Sequence, residues 1–287
     1  MTTDPWMLLE DAATVLAVHA HPDDESLSTG ALLASLAGAG TRVELLTATR
    51  GEEGEVVPGS VPPEDTRPLE QIRDAEIDAA TSILGIAARC MLGTAPALAA
   101  GVAPRTYRDS GMQWIREGLA GPSDTAGADS FTHRPLEEAV DDLVALIQER
   151  RPDAVIGYDD EGTYGHPDHV RAHHVTAAAC ARTGTPMIEV SSAPDPAADA
   201  GFTWRDHPRV ADIVRRAVDS YRTQLTVVGW ADEEQSAGGT ESAGGIKSTT
   251  AGENKSTTAG EKTGISIRHV GGQDDVVLLR TGLRVRG

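Results

Sequence analysis

Val15-Leu-Ala-Val-His-Ala-His-Pro-Asp-Asp-Glu25 carries an apolar run directly into a cluster of imidazole and carboxylate groups. The run reads as a buried strand over about Thr14 to His19. A helical pattern follows at once, from Glu25 to Leu36, with Gly38 and Gly40 as its stop. In α/β proteins the carboxyl end of a strand is where side chains from several loops converge on a metal or ligand. The stretch therefore predicts both the fold class and the place of the site.

Outward from it, Val43 to Ala48 reads as a second strand, continuous enough to be buried on both faces. Strand, helix and strand within so short a span predict parallel pairing through a right-handed crossover. Residues 50–68 form a glycine-, proline- and glutamate-rich loop on the same rim as the acidic cluster. A helix over Leu69 to Leu84 and a short strand over Ala88 to Leu92 follow. The segment from Gly93 to His133 has no usable period, yet it carries Tyr107, Arg108, Asp109, Met112 and Trp114, so a substrate-side loop is expected, with a short helix near Met112 to Leu119.

Further along, Pro135 to Glu149 is an amphipathic helix, Ala154 to Tyr158 a strand, and Asp159 to His169 its carboxyl-end loop. Val170 to Cys180 reads as helix, Pro186 to Ser191 as strand, Pro194 to Arg205 as loop and Val210 to Tyr221 as the last helix. The expected architecture is a Rossmann-like, mostly parallel sheet with helices on both faces, plus a small C-terminal β-containing region. Residues 1–192 form the catalytic domain in this reading, and residues 193–287 complete the site. Lys247-Ser-Thr-Thr-Ala-Gly-Glu253 is repeated as Lys255-Ser-Thr-Thr-Ala-Gly-Glu261, so about residues 231–263 read as a mobile insertion, with edge strands at Ile265 to Arg268 and Val276 to Leu279.

With 25 Lys and Arg against 44 Asp and Glu, the chain carries a formal charge of -19, which argues against nucleic acid and anionic membrane surfaces as partners. A small neutral molecule is the expected ligand. Cys90 and Cys180 read as buried thiols of a reducing compartment. No secretory leader or membrane-length apolar run is recognisable, so the expected location is the cytoplasm. Oligomeric state is not legible. Gly51-Glu-Glu-Gly lacks the spacing and the basic residue of a nucleotide cradle.

His21 and Asp24 lie three apart beside a proline, in a turn where both can face one ion. A second imidazole-rich turn, Tyr164-Gly-His-Pro-Asp-His169, holds the equivalent place after another predicted strand. His-Asp-His with an open fourth position suits a catalytic zinc shell. His19 reads as structural or as supporting the site, and His173 and His174 as decorating the helix behind it. Glu52, Glu53 and Glu55 are open between a charged rim and a substrate contact.

His19-Ala-His-Pro-Asp-Asp-Glu25 together with Gly165-His-Pro-Asp-His169 resembles the N-acetylglucosaminyl deacetylase family related to the phosphatidylinositol-glycan enzyme. Gly51-Glu-Glu-Gly-Glu-Val56, Arg108-Asp-Ser-Gly-Met112 and Arg222-Thr-Gln-Leu-Thr226 resemble its branch in mycothiol biosynthesis, which removes acetate from N-acetylglucosaminyl-inositol. The likeness covers roughly residues 14–228. It implies one divalent metal ion, zinc or alternatively ferrous iron, held by His21, Asp24 and His169, with Asp23 as general base. It further implies that His166 assists the transition state or the leaving amine, that Asp168 orients His166, and that Tyr164 polarises the scissile carbonyl. Arg73 and Asp109 are implied substrate contacts, and the partner is a small amino-sugar.

Three alternatives stand beside this reading: an amidase of mycothiol S-conjugates, a deacetylase of a glycosylated secondary metabolite, and a sugar-binding protein that keeps the metal without turnover. Gly51-Glu-Glu-Gly leans toward the deacetylase. Asp23 argues against a mere binder, because a carboxylate beside the ligands is useful for proton transfer.

Overall fold

In the computed structural model, which describes residues 4–116, 119–121, 123–124, 126–193, 196–197, 201–231 and 262–287, the strand read first lies inside a seven-stranded sheet. The chain begins with α1 (Pro5–Glu10), capped by the Asp4 carboxylate on the Trp6 N–H, and enters β1 (Thr14–His19). Then come α2 (Asp24–Leu27), α3 (Gly30–Ala39), β2 (Arg42–Thr47), α4 (Leu69–Leu84), β3 (Ala88–Met91), and β4 (Gln113–Arg116) with β5 (Leu119–Gly121). The second half holds α5 (Leu136–Arg150), β6 (Ala154–Tyr158), α6 (Gly162–Gly165), a single distorted turn, α7 (Pro167–Thr183), β7 (Met187–Val190) and β8 (Thr203–Asp206). It closes with α8 (Ala211–Val218), β9 (Leu225–Ala231), β10 (Gly264–His269), β11 (Asp274–Leu278) and β12 (Arg280–Val285).

The sheet order is β3-β2-β1-β6-β7-β12-β8. The first five strands are parallel, while β12 runs antiparallel to both β7 and β8. Strand order reverses between β1 and β6, where the loops leaving neighbouring strands diverge and open a crevice at their carboxyl ends. Side chains alternate across β1. Val15 and Ala17 pack with Leu32, Ile77 and Val214 from α3, α4 and α8, whereas Leu16 and Val18 pack with Leu143, Ile147 and Val175 from α5 and α7. Helices thus cover both faces, as expected. A separate sheet, β11-β10-β9, is wholly antiparallel and holds the two C-terminal strands read from the sequence.

Three local expectations are corrected. The helix read from Glu25 to Leu36 is broken at Ser28 and Thr29. Thr29 is turned out of helical geometry (φ −129°, ψ 2°) with its hydroxyl on His19, and Gly30 lets α8 approach so closely that a Cβ there would lie 3.3 Å from Val214. The short helix expected near Met112 to Leu119 is a hairpin, β4 pairing with β5 from Gln113↔Gly121. A two-turn helix containing Gly118 is weak on its own, and Trp114 and Ile115 favour extended backbone. The last residues also contain a strand the sequence reading missed. In β12, Arg280 and Arg284 interrupt the apolar pattern, yet Leu283 is fully buried, and Gly282 leaves room for the Trp204 ring across the ladder.

The irregular segment from Gly93 to His133 is held down by one residue of α5. The fully buried Asp142 carboxylate accepts from the Ala99 N–H (2.8 Å), the Arg105 guanidinium (3.0 Å) and the Tyr107 hydroxyl (2.7 Å). Each such partner is worth about 1.5–3 kcal/mol because the acceptor is charged. Most of the low-complexity insertion, residues 232–261, lies outside the described residues.

Candidate active site

The turn after β1 is built against its own backbone preference. Asp23 adopts φ 110°, a region that a residue with a Cβ rarely enters. Three contacts keep it there: the Glu25 carboxylate accepts from the Asp23 N–H (3.2 Å), the Asp24 carboxylate accepts from the His21 N–H (2.8 Å), and the Gln224 amide donates to the Pro22 carbonyl (3.1 Å). Glu25 is itself fully buried and receives the hydroxyls of Ser26 (2.6 Å) and Tyr221 (2.5 Å). Behind it, the Glu76 carboxylate accepts from the Thr223 N–H and hydroxyl, so the Arg222–Thr226 stretch serves as a buttress for the acidic turn.

The turn after β6 faces it. Here too a residue with a Cβ sits at positive φ, Thr163 at 65°. Its N–H donates to Ser192, and its hydroxyl lies 3.0 Å from His169 Nδ1. His166 then caps α7, its Nδ1 accepting from the Asp168 N–H (3.2 Å).

The expected metal-ligand trio converges between the two turns. His21 Nδ1 lies 3.3 Å from Asp24 Oδ2, His169 Nε2 lies 3.2 Å from Asp24 Oδ1, and the two imidazole nitrogens are 3.3 Å apart. The outward nitrogen of each ring is already engaged. His21 Nε2 meets Asp168 Oδ2 at 3.2 Å and His169 Nδ1 meets the Thr163 hydroxyl, which leaves the inward nitrogens for an ion. His166 joins His21 and His169 in a second possible grouping, and Asp109 and Asp168 join His21 in a third. Burial alone would lower the His21 pKa, but the carboxylates of Asp109, Asp168 and Asp24 outweigh it and hold the ring well above the ordinary imidazole range. Burial would likewise raise Asp24, yet His169 and His21 hold it well below the usual carboxylate range. The cluster is a field that favours positive charge, and Asp168 Oδ1 remains buried without a hydrogen-bond partner among the described residues. Both features fit a bound cation.

The other expected residues fall around this point with some differences. Asp23 stands beside the trio, pushed well above the usual carboxylate range by desolvation and then by Asp24 and Glu25. Tyr164 is half exposed, its ring 5.8 Å from His166 and 5.9 Å from His169. Asp168 meets His166 only through its backbone N–H, while its carboxylate turns to His21 and to the Ser110 N–H (2.9 Å). Asp109 lies with Oδ1 3.6 Å from His21 Nε2 and accepts from the Gly111 N–H. Arg73 is buried, and its guanidinium donates to the carbonyls of Gly51, Gly54 and Glu55, shaping the wall of the site. Glu52 ties that wall to Asp109 by accepting the Asp109 N–H at 3.0 Å. Beyond it opens a cavity of about 650 Å³ lined by Arg50, Glu52, Arg105 and Arg108 among others.

Residues 16–180 match the family model described as GlcNAc-PI de-N-acetylase, PIG-L. The chain belongs to this family. Among curated relatives of the PIG-L family chain, a 1D-myo-inositol 2-acetamido-2-deoxy-alpha-D-glucopyranoside deacetylase from Nocardioides sp. is 41% identical over 195 residues, covering 66% of this chain and 58% of the relative. Proteins of the same name from Thermobispora bispora (39% identical, 72% of this chain, 63% of the relative) and Streptomyces scabiei (35% identical, 80% and 66%) also match. The chain thus spans about three fifths of the length of such relatives. Among solved structures, N,N'-diacetylchitobiose deacetylase from Pyrococcus horikoshii shares the fold at TM-score 0.54 and 20% identity, covering 76% of this chain and 73% of that one. No helix among the described residues is long and apolar enough to cross a membrane.

Several supports of this PIG-L family site escaped the sequence reading. Tyr158 ends β6, donates its hydroxyl to Asp24 Oδ2 (2.7 Å) and stacks on His169 at 4.4 Å. His19, already read as structural or supporting, is buried between the Tyr158 and Thr29 hydroxyls, and desolvation lowers its pKa to about 4. His173 does not decorate α7. It is buried, with Nδ1 2.9 Å from the Tyr158 carbonyl oxygen. The signal for Tyr158 was its place as the last residue of a strand that leads into a motif. The signal for Glu25 was a carboxylate inside a turn that already held two.

Proposed function

We propose that this protein is a divalent-metal-dependent N-deacetylase that hydrolyses the acetamide of N-acetylglucosaminyl-inositol to acetate and the free amine. The observation that carries the reading is the convergence of His21, Asp24 and His169 beside Asp23, with the outer face of each imidazole already engaged. The family match and the names of the relatives supply the substrate. Two imidazoles and one carboxylate form a donor set that zinc takes in catalytic sites, and ferrous iron is the second candidate. The ion would supply a positive charge that polarises the amide carbonyl and eases deprotonation of water.

The remaining work belongs to the chain. Asp23, desolvated and crowded by Asp24 and Glu25, has the proton affinity of a general base and takes a proton as water attacks the carbonyl carbon. Tyr164 donates a hydrogen bond to the oxygen on which charge develops. Because the Asp168 N–H occupies His166 Nδ1, the neutral ring carries its proton on Nε2 and acts as a further donor. The proton held by Asp23 then passes to the departing nitrogen. Asp109 offers a buried carboxylate to a sugar hydroxyl, and Arg73 serves binding by fixing the Gly51–Glu55 wall. The compartment in this reading is the cytoplasm.

The test is amine release from N-acetylglucosaminyl-inositol by purified protein, with added zinc and with a chelator. Turnover that the chelator abolishes and zinc restores is expected. Folded, zinc-loaded protein that releases amine only from the cysteinyl amide of glucosaminyl-inositol would replace deacetylation by amidase activity.

A further inference from the structure

Tyr158 touches two of the three proposed metal ligands at once. Its hydroxyl lies 2.7 Å from Asp24 Oδ2, and its ring lies flat on the His169 imidazole, with centroids 4.4 Å apart and planes 11° from parallel. The hydroxyl also accepts from the Ala20 N–H at 3.0 Å and meets His19 Nδ1 at 3.2 Å. A phenol has one proton to give and two lone pairs to fill. The acceptor-only Asp24 carboxylate takes the proton, so the contact with His19 is filled by donation from His19 Nδ1; His19 Nε2 then faces the Thr29 hydroxyl at 2.9 Å, whose single proton also has the Glu25 carbonyl oxygen within reach at 3.1 Å. Every position on the Tyr158 hydroxyl is then filled, and its O–H has one direction available to it.

Asp24 feels the consequence. Its Oδ2 accepts from Tyr158 and from the His21 N–H (2.8 Å), while Oδ1 is left toward His169 Nε2 at 3.2 Å. Rotation of the carboxylate would break both bonds. Tyr158 is itself braced from behind, since its carbonyl oxygen lies 2.9 Å from His173 Nδ1, and His173 Nε2 meets the Arg286 guanidinium at 3.0 Å. That guanidinium also pairs with the buried Glu189.

We propose that Tyr158 is a positioning residue of the metal centre: with its hydroxyl oriented by His19 and the Ala20 N–H, it fixes which oxygen of Asp24 faces the ion and holds the plane of the His169 ring. It touches neither substrate nor reacting atoms in this assignment. The inference rests on the metal-centre reading above, but its readout is metal affinity and needs no turnover.

Tyr158→Phe keeps the stacked ring and removes the hydroxyl. The zinc dissociation constant of the folded variant, measured by competition with a chromophoric chelator, is expected to rise about 10- to 100-fold, the range for losing a partner behind a ligand. His19→Ala is expected to weaken zinc binding by a smaller factor. Adding it to Tyr158→Phe should cost little more, because both act through one hydroxyl. Unchanged zinc affinity in folded Tyr158→Phe overturns the proposal, as do effects of the two substitutions that multiply in full. Should Tyr158→Phe fail to fold, His19→Ala decides: wild-type affinity in that variant overturns the proposal and weakened affinity supports it. Weakened zinc binding in the variants beside a wild-type protein that ignores N-acetylglucosaminyl-inositol would sink the substrate assignment alone.

Discussion

The two turns that meet at the site are alike in outline and different in support. Each follows one of two adjacent parallel strands, β1 and β6, and each contains a residue with a Cβ at positive φ, Asp23 in one and Thr163 in the other. The first turn is gripped from below by the buried Glu25 and Tyr221, with the half-buried Gln224 amide on Pro22. The second is braced at its edge by the half-buried Ser192, and it carries the half-exposed Tyr164. Strain of about 1–3 kcal/mol per residue persists only where the surroundings over-determine it. The contrast assigns a rigid floor under the proposed general base and a more adaptable roof on the side proposed for substrate entry.

Substitutions can break or sharpen that contrast. Asp23→Asn in the floor removes the proton acceptor and should lower kcat about 10³-fold, within the range for general-base removal, with zinc binding retained by equilibrium dialysis. Glu25→Ala leaves the Tyr221 hydroxyl and the Asp23 N–H without their acceptor, for a loss of about 3 kcal/mol in urea unfolding. Tyr164→Phe in the roof should leave the urea midpoint unchanged and lower kcat about 10²-fold, the usual loss for one donor to a developing oxyanion. Ser192→Ala removes a brace of the second turn and should cost only about 1 kcal/mol. A Ser192→Ala loss as large as that of Glu25→Ala would erase the distinction between floor and roof.

How much of this was legible followed from what each residue advertises. The strands β1 and β6 and the helices α4 and α5 announce themselves through unbroken or cleanly periodic burial, and the structure places them within a residue or so of the reading. The two motif turns were legible because imidazoles and carboxylates crowd strand ends. β12 was hidden because its Arg284 pairs with Glu189 and Asp160 and its Arg280 with Asp206, long-range matches that no local pattern contains. The break between α2 and α3 depends on Thr29 reaching His19, and the inward turn of His173 depends on a carbonyl of β6. Arg73 was named as a substrate contact by the resemblance alone, and no local pattern announced that its guanidinium donates to three backbone carbonyls of the Gly51–Glu55 wall.

The antiparallel ladder of β9 and β10 brings Ala231 opposite Gly264, so the two ends of the intervening stretch are already neighbours. Closing a loop across such a pair costs entropy that grows only with the logarithm of its length, about 0.6 kcal/mol for each doubling. The hairpin is therefore nearly indifferent to how many residues it carries between those ends. Duplication of an eight-residue unit, such as the one that returns Lys247-Ser-Thr-Thr-Ala-Gly-Glu253 at Lys255, is a change that natural selection can accept or discard between those strand ends at little thermodynamic penalty.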